Sequence, residues 1–211
     1  MAASTDQSAV TRAYDRLAAV YDLYQGPMEW LGLAGRRRRL LSRAGGRVLE
    51  VGIGTGRNLG YYPPGTRVLG IDVAQRMLER ARRRAARNGA DLGLERADVQ
   101  HLPFPDRTFD TVVAACVFCS VPDPVRGLAE VGRVVKPGGR VLLLEHVRPR
   151  NRFFGALADA LSPITRRLFG FNLNRRTEEH AADAGLRLVE VRRSGIWREM
   201  VAGPGTRDGP P

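Results

Sequence analysis

The chain has 211 residues, 43% of them hydrophobic and 27% charged, with a formal net charge of +12. That length supports one domain with a sizeable core, and the composition excludes a disordered chain. No apolar run approaches the 18 or more residues of a membrane span, and Met1 to Val10 shows no basic stretch followed by an apolar one, so a cytoplasmic protein is the default expectation.

Residues 5 to 25 are expected to be helical, with Tyr14, Leu17, Ala18 and Tyr21 at helical spacing, and Gly26-Pro27 should break that helix. A second helix is expected from Met28 to Ala44, ended by Gly45-Gly46. Both precede the first strand, so they can pack over its carboxyl end as a lid. Arg47-Val-Leu-Glu-Val-Gly-Ile-Gly-Thr-Gly56 then reads as a strand covered on both faces that runs into a glycine turn. Gly52, Gly54 and Gly56 allow a sharp turn and a close approach to a ligand. A short helix, Arg57 to Tyr62, is stopped by Pro63-Pro64-Gly65. The second strand ends at Asp72, where an acid is placed to hydrogen-bond a nucleotide ribose.

Helix 74–88 is closed by Gly89, with Met77 and Leu78 on its buried face. Strands are expected at 92–96, leading to Asp98-Val99, and at 109–115, ending near Cys116. Helix 124–135 and the turn Lys136-Pro137-Gly138-Gly139 lead to a fifth strand, 140–147. Strand and helix alternate up to this point, which implies right-handed parallel β-α-β units. In 151–170 the residues Phe153, Phe154, Leu157, Leu161, Ile164, Leu168 and Phe169 fall near one helical face, with a kink expected at Pro163. The segment is either a cover on the substrate site or an amphipathic membrane-facing stretch, and its weakly basic polar face favours the cover. Helix 175–184 and a hairpin-like pair, 187–193 and 196–201, complete the sheet, and 203–211 reads as a loose tail. The expected fold is α/β: a Rossmann-like, doubly wound, seven-stranded, mostly parallel sheet with an antiparallel last strand. The whole chain, 1–211, is one domain, divided into lid helices (1–46), cofactor-binding core (47–147), substrate-cover insertion (148–173), closing helix and strands (174–202) and tail.

Lys136 is the only lysine, and every other basic residue is arginine. The charge favours anionic partners, and contact with an anionic membrane at the periphery stays open. Arg36 to Arg39 and Arg82 to Arg84 read as solvated helix faces. No aromatic-and-basic interleaving and no Asn-Pro-Pro-Tyr signature is present, so nucleic acid is not an expected partner. Cys116 and Cys119 form a C-x-x-C pair, but a zinc site would need further ligands and none are spaced for it. The pair reads as two small apolar residues at the mouth of a pocket.

Glu50-x-Gly52-x-Gly54-x-Gly56, Asp72, Asp98 and Lys136-Pro137-Gly138-Gly139 together resemble the class I S-adenosylmethionine-dependent methyltransferases, over about residues 9–202. A nicotinamide dehydrogenase would not call for Asp98 or the antiparallel end of the sheet. Tyr14-Asp15-x-x-Ala18-x-x-Tyr21-Asp22, Leu102-Pro103-Phe104-Pro105-Asp106-x-x-Phe109-Asp110 and Glu145-His146-Val147 are similar to the quinone-biosynthesis and phospholipid N-methyltransferase group. Phe118-Cys119-Ser120-Val121, Glu145-His146 and Asn172-Leu173-Asn174-Arg175 also resemble methyltransferase-like thiol methyltransferases. The chain departs from that second group's pattern at Phe171 and Asn172.

The resemblance implies S-adenosylmethionine as cofactor, held by Tyr14, Tyr21, Glu50, Gly52, Ile53, Gly54, Thr55, Gly56, Asn58, Asp72, Val73, Met77, Asp98, Val99 and Cys116. It implies an acceptor site at Tyr24, Phe118, His146, Asn174 and Arg175. The acceptor is a small, lipophilic thiol, amine, hydroxyl or activated carbon, or alternatively a phospholipid of the phosphatidylethanolamine type. His146 is the candidate base, since imidazole titrates near neutrality; a structural histidine is the other reading, and a thiol acceptor could ionise without a base. His101 and His180 are weaker candidates.

Overall fold

A computed structural model describes residues 7–205, apart from the side chains of Tyr24 and Gln25. Seven strands form one sheet: β1 (Arg47–Val51), β2 (Arg67–Asp72), β3 (Leu92–Arg96), β4 (Phe109–Ala115), β5 (Val135–His146), β6 (Arg187–Ser194) and β7 (Trp197–Gly203). The order is β3-β2-β1-β4-β5-β7-β6, and only β7 runs against its neighbours. The first five strands have short apolar cores because helices cover both faces. Alternation along each strand divides the interior. Leu49, Val112 and Leu143 face a cluster with Leu128 and Ala181, whereas Val48, Val113 and Leu142 face one with Leu40 and Leu41.

The helices that make these layers are α3 (Ala34–Leu41) and α4 (Gln75–Asn88) on one face, and α5 (Pro124–Val134) and α7 (Thr177–Asp183) on the other. Gly89 closes α4 in a left-handed conformation, which glycine adopts without a Cβ penalty. A short 3-10 turn, Arg57–Tyr61, follows the glycine loop. The expected turn Lys136-Pro137-Gly138-Gly139 lies within β5 as an irregularity where the register against β4 shifts, and Lys136 Nζ, 2.7 Å from Asp110 Oδ1, ties it back to β4.

The lid departs from the expected break. Helix α1 (Gln7–Leu17) ends in a turn at residues 18–20, and α2 (Tyr21–Met28) runs through Gly26 and Pro27 into a π-helical turn, Glu29–Leu33. There the Ala34 amide reaches back five residues to the Glu29 carbonyl, and the true kink lies at Gly32, with φ +107°. Proline removes one donor, but the wider turn just beyond it absorbs the irregularity. Helix α6 (Arg152–Phe169) likewise continues through Pro163. It also turns the opposite way from the expected cover. Its buried residues are the small Gly155, Ala158 and Ser162, whereas Phe153 is 72% and Phe154 57% exposed. The tail begins later than expected, since Gly203 still belongs to β7, and 206–211 lie outside the described residues.

Candidate active site

The carboxyl ends of β1, β2, β3 and β4 meet at one cleft, lined by Gly52, Gly54, Asp72, Val73, Asp98, Val99, Cys116 and Val117 from the strand ends and by Tyr14, Tyr21 and Met77 from the lid and α4. Open α/β sheets bind ligands at this edge. Gly52 and Gly54 take φ of +61° and +57°. A Cβ on Gly52 would come within 2.7 Å of Val117, whereas one on Gly54 would meet nothing closer than 4.0 Å. The backbone at Gly54 is therefore open to a ligand. Asp72 Oδ2 accepts from the Gly54 amide and Oδ1 from the Ala74 amide, both at 2.9 Å, and burial pushes its pKa up to about 6 against those bonds. Asp98 accepts from the Gln100 side chain at 3.0 and 3.1 Å and from its amide at 2.9 Å. Sequence reasoning missed this glutamine, which also bonds Gln7 of α1.

The lid is pinned over the cleft. Tyr14 Oη and Ser120 Oγ are 2.5 Å apart, and burial raises the tyrosine pKa well above its usual value. Tyr14 and Tyr21 sit with ring centroids 6.1 Å apart around Ala18, Ala74 and Met77. The two aspartates of the Tyr-Asp pairs hold the lid in place. Asp15 accepts from the Arg76 amide at the start of α4, and Asp22 accepts from Thr55 (2.7 Å), Arg57 (2.9 Å) and Arg84 (2.8 Å). Burial raises the Asp22 pKa, but these partners outweigh it and the carboxyl stays below its usual range.

Five of the expected cofactor residues stand behind the cleft wall. Glu50 alternates onto the α3 face, where Oε1 accepts from Asn58 (2.8 Å) and Oε2 from Tyr62 (2.7 Å). Arg37, a buried residue of α3, in turn bonds Asn58 at 2.6 Å. Burial lifts Glu50 to about 7. Ile53 packs with Leu59, Leu78 and Ala81. Thr55 bonds Asp22, and Gly56, at φ +77°, leaves room for Ala81, whose Cα would lie 3.2 Å from an added Cβ.

A second cavity, of about 270 Å³, opens beside the cleft. Its wall is almost wholly apolar: Leu17, Val20 and Met28 from the lid, Phe169, Phe171 and Leu173 after β5, Ile196 and Trp197 at β7, with both cysteines and His146. Tyr14, Tyr21 and Cys116 line both cavities. Cys116 takes φ +60°, uncommon for a residue with a Cβ, at this shared wall. Burial pushes its thiol up to about 12 and that of Cys119 well above the usual value, so both stay protonated. His146 lies 6.0 Å from Phe171 and 6.1 Å from Trp197, edge to face with each, and burial lowers its pKa to about 4. Among the described residues no carboxylate, lysine or arginine lines this cavity.

Apart from His146, the described residues expected at the acceptor site lie outside this cavity. Phe118 is fully buried in the core, 3.1 Å from where a Cβ on Gly127 would stand. Asn174 bonds Asp159 of α6 at 3.1 Å, and Arg175 donates to the Val121 carbonyl at 2.6 Å. Both are straps between segments. Tyr24 lies outside the described side chains. Glu145, next to His146, points to the other face of the sheet, where Oε1 accepts from the Val117 and Phe118 amides at 2.8 and 3.1 Å. Its Oε2 is buried without a partner, and burial raises the pKa to about 7.

A family model described as a methyltransferase domain matches residues 49–143. Phosphatidylethanolamine N-methyltransferase of Cereibacter sphaeroides is 37% identical over 187 residues, covering 86% of this chain and 89% of that protein. The chain belongs to the S-adenosylmethionine-dependent methyltransferases. Demethylmenaquinone methyltransferase of Deinococcus radiodurans is 36% identical, over 71% of the present methyltransferase and 65% of the relative. A solved S-adenosylmethionine-dependent methyltransferase of Thermotoga maritima shares the fold at a TM-score of 0.70 and 19% identity, covering 92% and 99% of the two chains.

S-adenosylmethionine is the cofactor of the methyltransferase, and the cleft fits it. A carboxylate ends β2 where two vicinal hydroxyls can be accepted, apolar Val73, Met77 and Val99 can pack a base, and an open positive-φ glycine can meet the amino-acid part.

Proposed function

We propose that the methyltransferase acts by in-line displacement on a small lipophilic acceptor seated in the apolar cavity. The bound donor would supply the methyl, and His146 would take the proton that the acceptor releases. The carrying observation is the shared wall: Tyr14, Tyr21 and Cys116 border both the cofactor cleft and the apolar cavity. When bound, the cofactor supplies a methyl already activated on a sulfonium centre. The chain has to align, enclose and keep water out, and alignment alone is worth roughly 7–11 kcal/mol.

Asp72 accepts the ribose hydroxyls in this reading, Asp98 and the Val99 amide meet the adenine edge, and Val73 and Met77 pack its faces. The amide region of Gly52–Gly54 holds the methionine part, with Tyr14 and Tyr21 closing over it. His146 is neutral across the physiological range because burial holds its pKa near 4. A weak base suffices, since an acceptor atom becomes strongly acidic as it gains the methyl.

A phosphatidylethanolamine-type acceptor is the second reading, favoured by the Cereibacter relative. An ammonium headgroup would need a carboxylate in the cavity, and among the described residues none lines it. Transfer of labelled methyl to quinols, thiols, amines and phospholipids separates the two. The expected result is activity with an uncharged lipophilic acceptor, falling about 100-fold or more in His146→Gln at unchanged cofactor affinity. Activity confined to phosphatidylethanolamine would overturn the first reading.

A further inference from the structure

Helix α6 is inverted relative to a helix that covers a core. It rests on the body through Gly155, Ala158 and Ser162, small residues spaced along one face, and it contacts α1 of the lid. Its bulky side, carrying Phe153, Phe154, Leu157, Leu161, Ile164 and Leu168, stands in solvent. Burying that side would remove a large apolar area from water, so leaving it out calls for an apolar neighbour beyond the chain.

The exposed apolar surface is concentrated. Of thirteen exposed large apolar side chains among the described residues, twelve lie on residues 20–31 of the lid, on α6, or at Ile196. Those three regions frame the mouth of the apolar cavity, because Val20, Phe169 and Ile196 each line it while remaining exposed. Trp30, 88% exposed on the lid, is the kind of side chain that settles at a membrane–water boundary.

The charges choose the neighbour. Arg150 and Arg152 precede and open α6, Arg166 and Arg167 lie in its last turn, and all four are exposed. Asp159, the only acid of the helix, is paired with Arg148 at 2.7 Å. A second copy packed on α6 would set arginines against arginines in either direction, parallel or antiparallel. An apolar strip with cations at both ends matches an anionic lipid layer instead.

We infer that the face built from α6 and the lid lies on the surface of an anionic bilayer, with the cavity mouth opening toward the acyl chains. A lipophilic acceptor then reaches the cavity without crossing water. The inference deepens the proposed function and rests on its lipophilic acceptor.

Flotation of the full chain tests it, using phosphatidylcholine vesicles with and without a minority of phosphatidylglycerol. The protein is expected to rise with the anionic vesicles and to be released by salt. The variant Phe153→Gln/Phe154→Gln/Leu157→Gln is expected to lower vesicle partitioning at least about 10-fold, with cofactor affinity by calorimetry unchanged. Arg150→Gln/Arg152→Gln/Arg167→Gln, which leaves the apolar face intact, is expected to lower it on the order of 100-fold on anionic vesicles alone. Failure of the unaltered protein to rise, or equal flotation of both variants, overturns the inference. So does a dimer that the α6 variant dissolves while vesicles stay unbound. Flotation without transfer to any lipophilic acceptor would sink the proposed function alone. Transfer to a detergent-dispersed acceptor without flotation would sink the docking face alone.

Discussion

The cofactor cleft and the apolar cavity share a wall, yet they are built in opposite ways. The cleft is made from the ends of four adjacent strands, by backbone groups at Gly52 and Gly54 and carboxylates at Asp72 and Asp98. Each lies within a few residues of a strand that the core already fixes. The cavity gathers side chains from Tyr14 to Trp197, drawn from the lid, the turn after β4, the end of α6 and β7. Among the described residues it is defined by the lack of a charged side chain more than by any group it presents. A polar cradle is specific to one ligand, whereas an apolar cavity sets only size and shape, so acceptor choice is free to vary over a constant donor site.

The largest test of that contrast is Asp72→Ala. Losing an acceptor for two hydroxyls should weaken cofactor binding at least about 100-fold by calorimetry, because charge-assisted hydrogen bonds are worth about 1.5–3 kcal/mol each. Full affinity in the variant would break the assignment of the cleft.

Glu145 probes the shared wall from behind, since it holds the turn that carries Cys116. Its folded-state pKa, about 7, lies above the ordinary carboxyl value of 4.5, so folding favours the protonated form. Stability from that form is complete below about pH 4.5 and is lost as pH rises through 7. Glu145→Gln keeps an acceptor for the amides and cannot ionise. Relative to the native chain it should therefore gain about 1–3 kcal/mol between pH 5 and pH 8 in denaturant unfolding. A constant difference across that range would contradict the raised pKa.

The smallest effect is expected from Tyr14→Phe. It removes the bond to Ser120 that shuts the lid and should cost about 1 kcal/mol, read as a several-fold weaker cofactor affinity with the fold intact.

The parallel core was legible because short apolar runs bounded by turn residues admit few readings. The boundaries of β3, 92–96, and β4, 109–115, agree with expectation, and Asp72 stands at the tip of β2. The side that Glu50 takes was not legible in its motif position: alternation in β1 turns it toward Asn58 and Tyr62, outside the cleft lining. The periodicity of 151–170 correctly marked an apolar face, but periodicity carries no sign, and the small residues Gly155, Ala158 and Ser162 proved to be the inward ones. The same small residues were the available signal. Trp197 beside His146 depends on the antiparallel register of β5 and β7, which joins positions 51 apart in the chain and leaves no local trace. Pro27 shows that a proline near a wider helical turn need not end a helix.

The wall at Tyr14, Tyr21 and Cys116 has a consequence for the order of events. Ligands in the two cavities would lean on the same side chains, and any factor by which one changes the affinity for the other is the same in both directions. If donor and acceptor occupy the two cavities as proposed, each would report on the other before any bond changes, and departure of the spent donor would alter the grip on the methylated product.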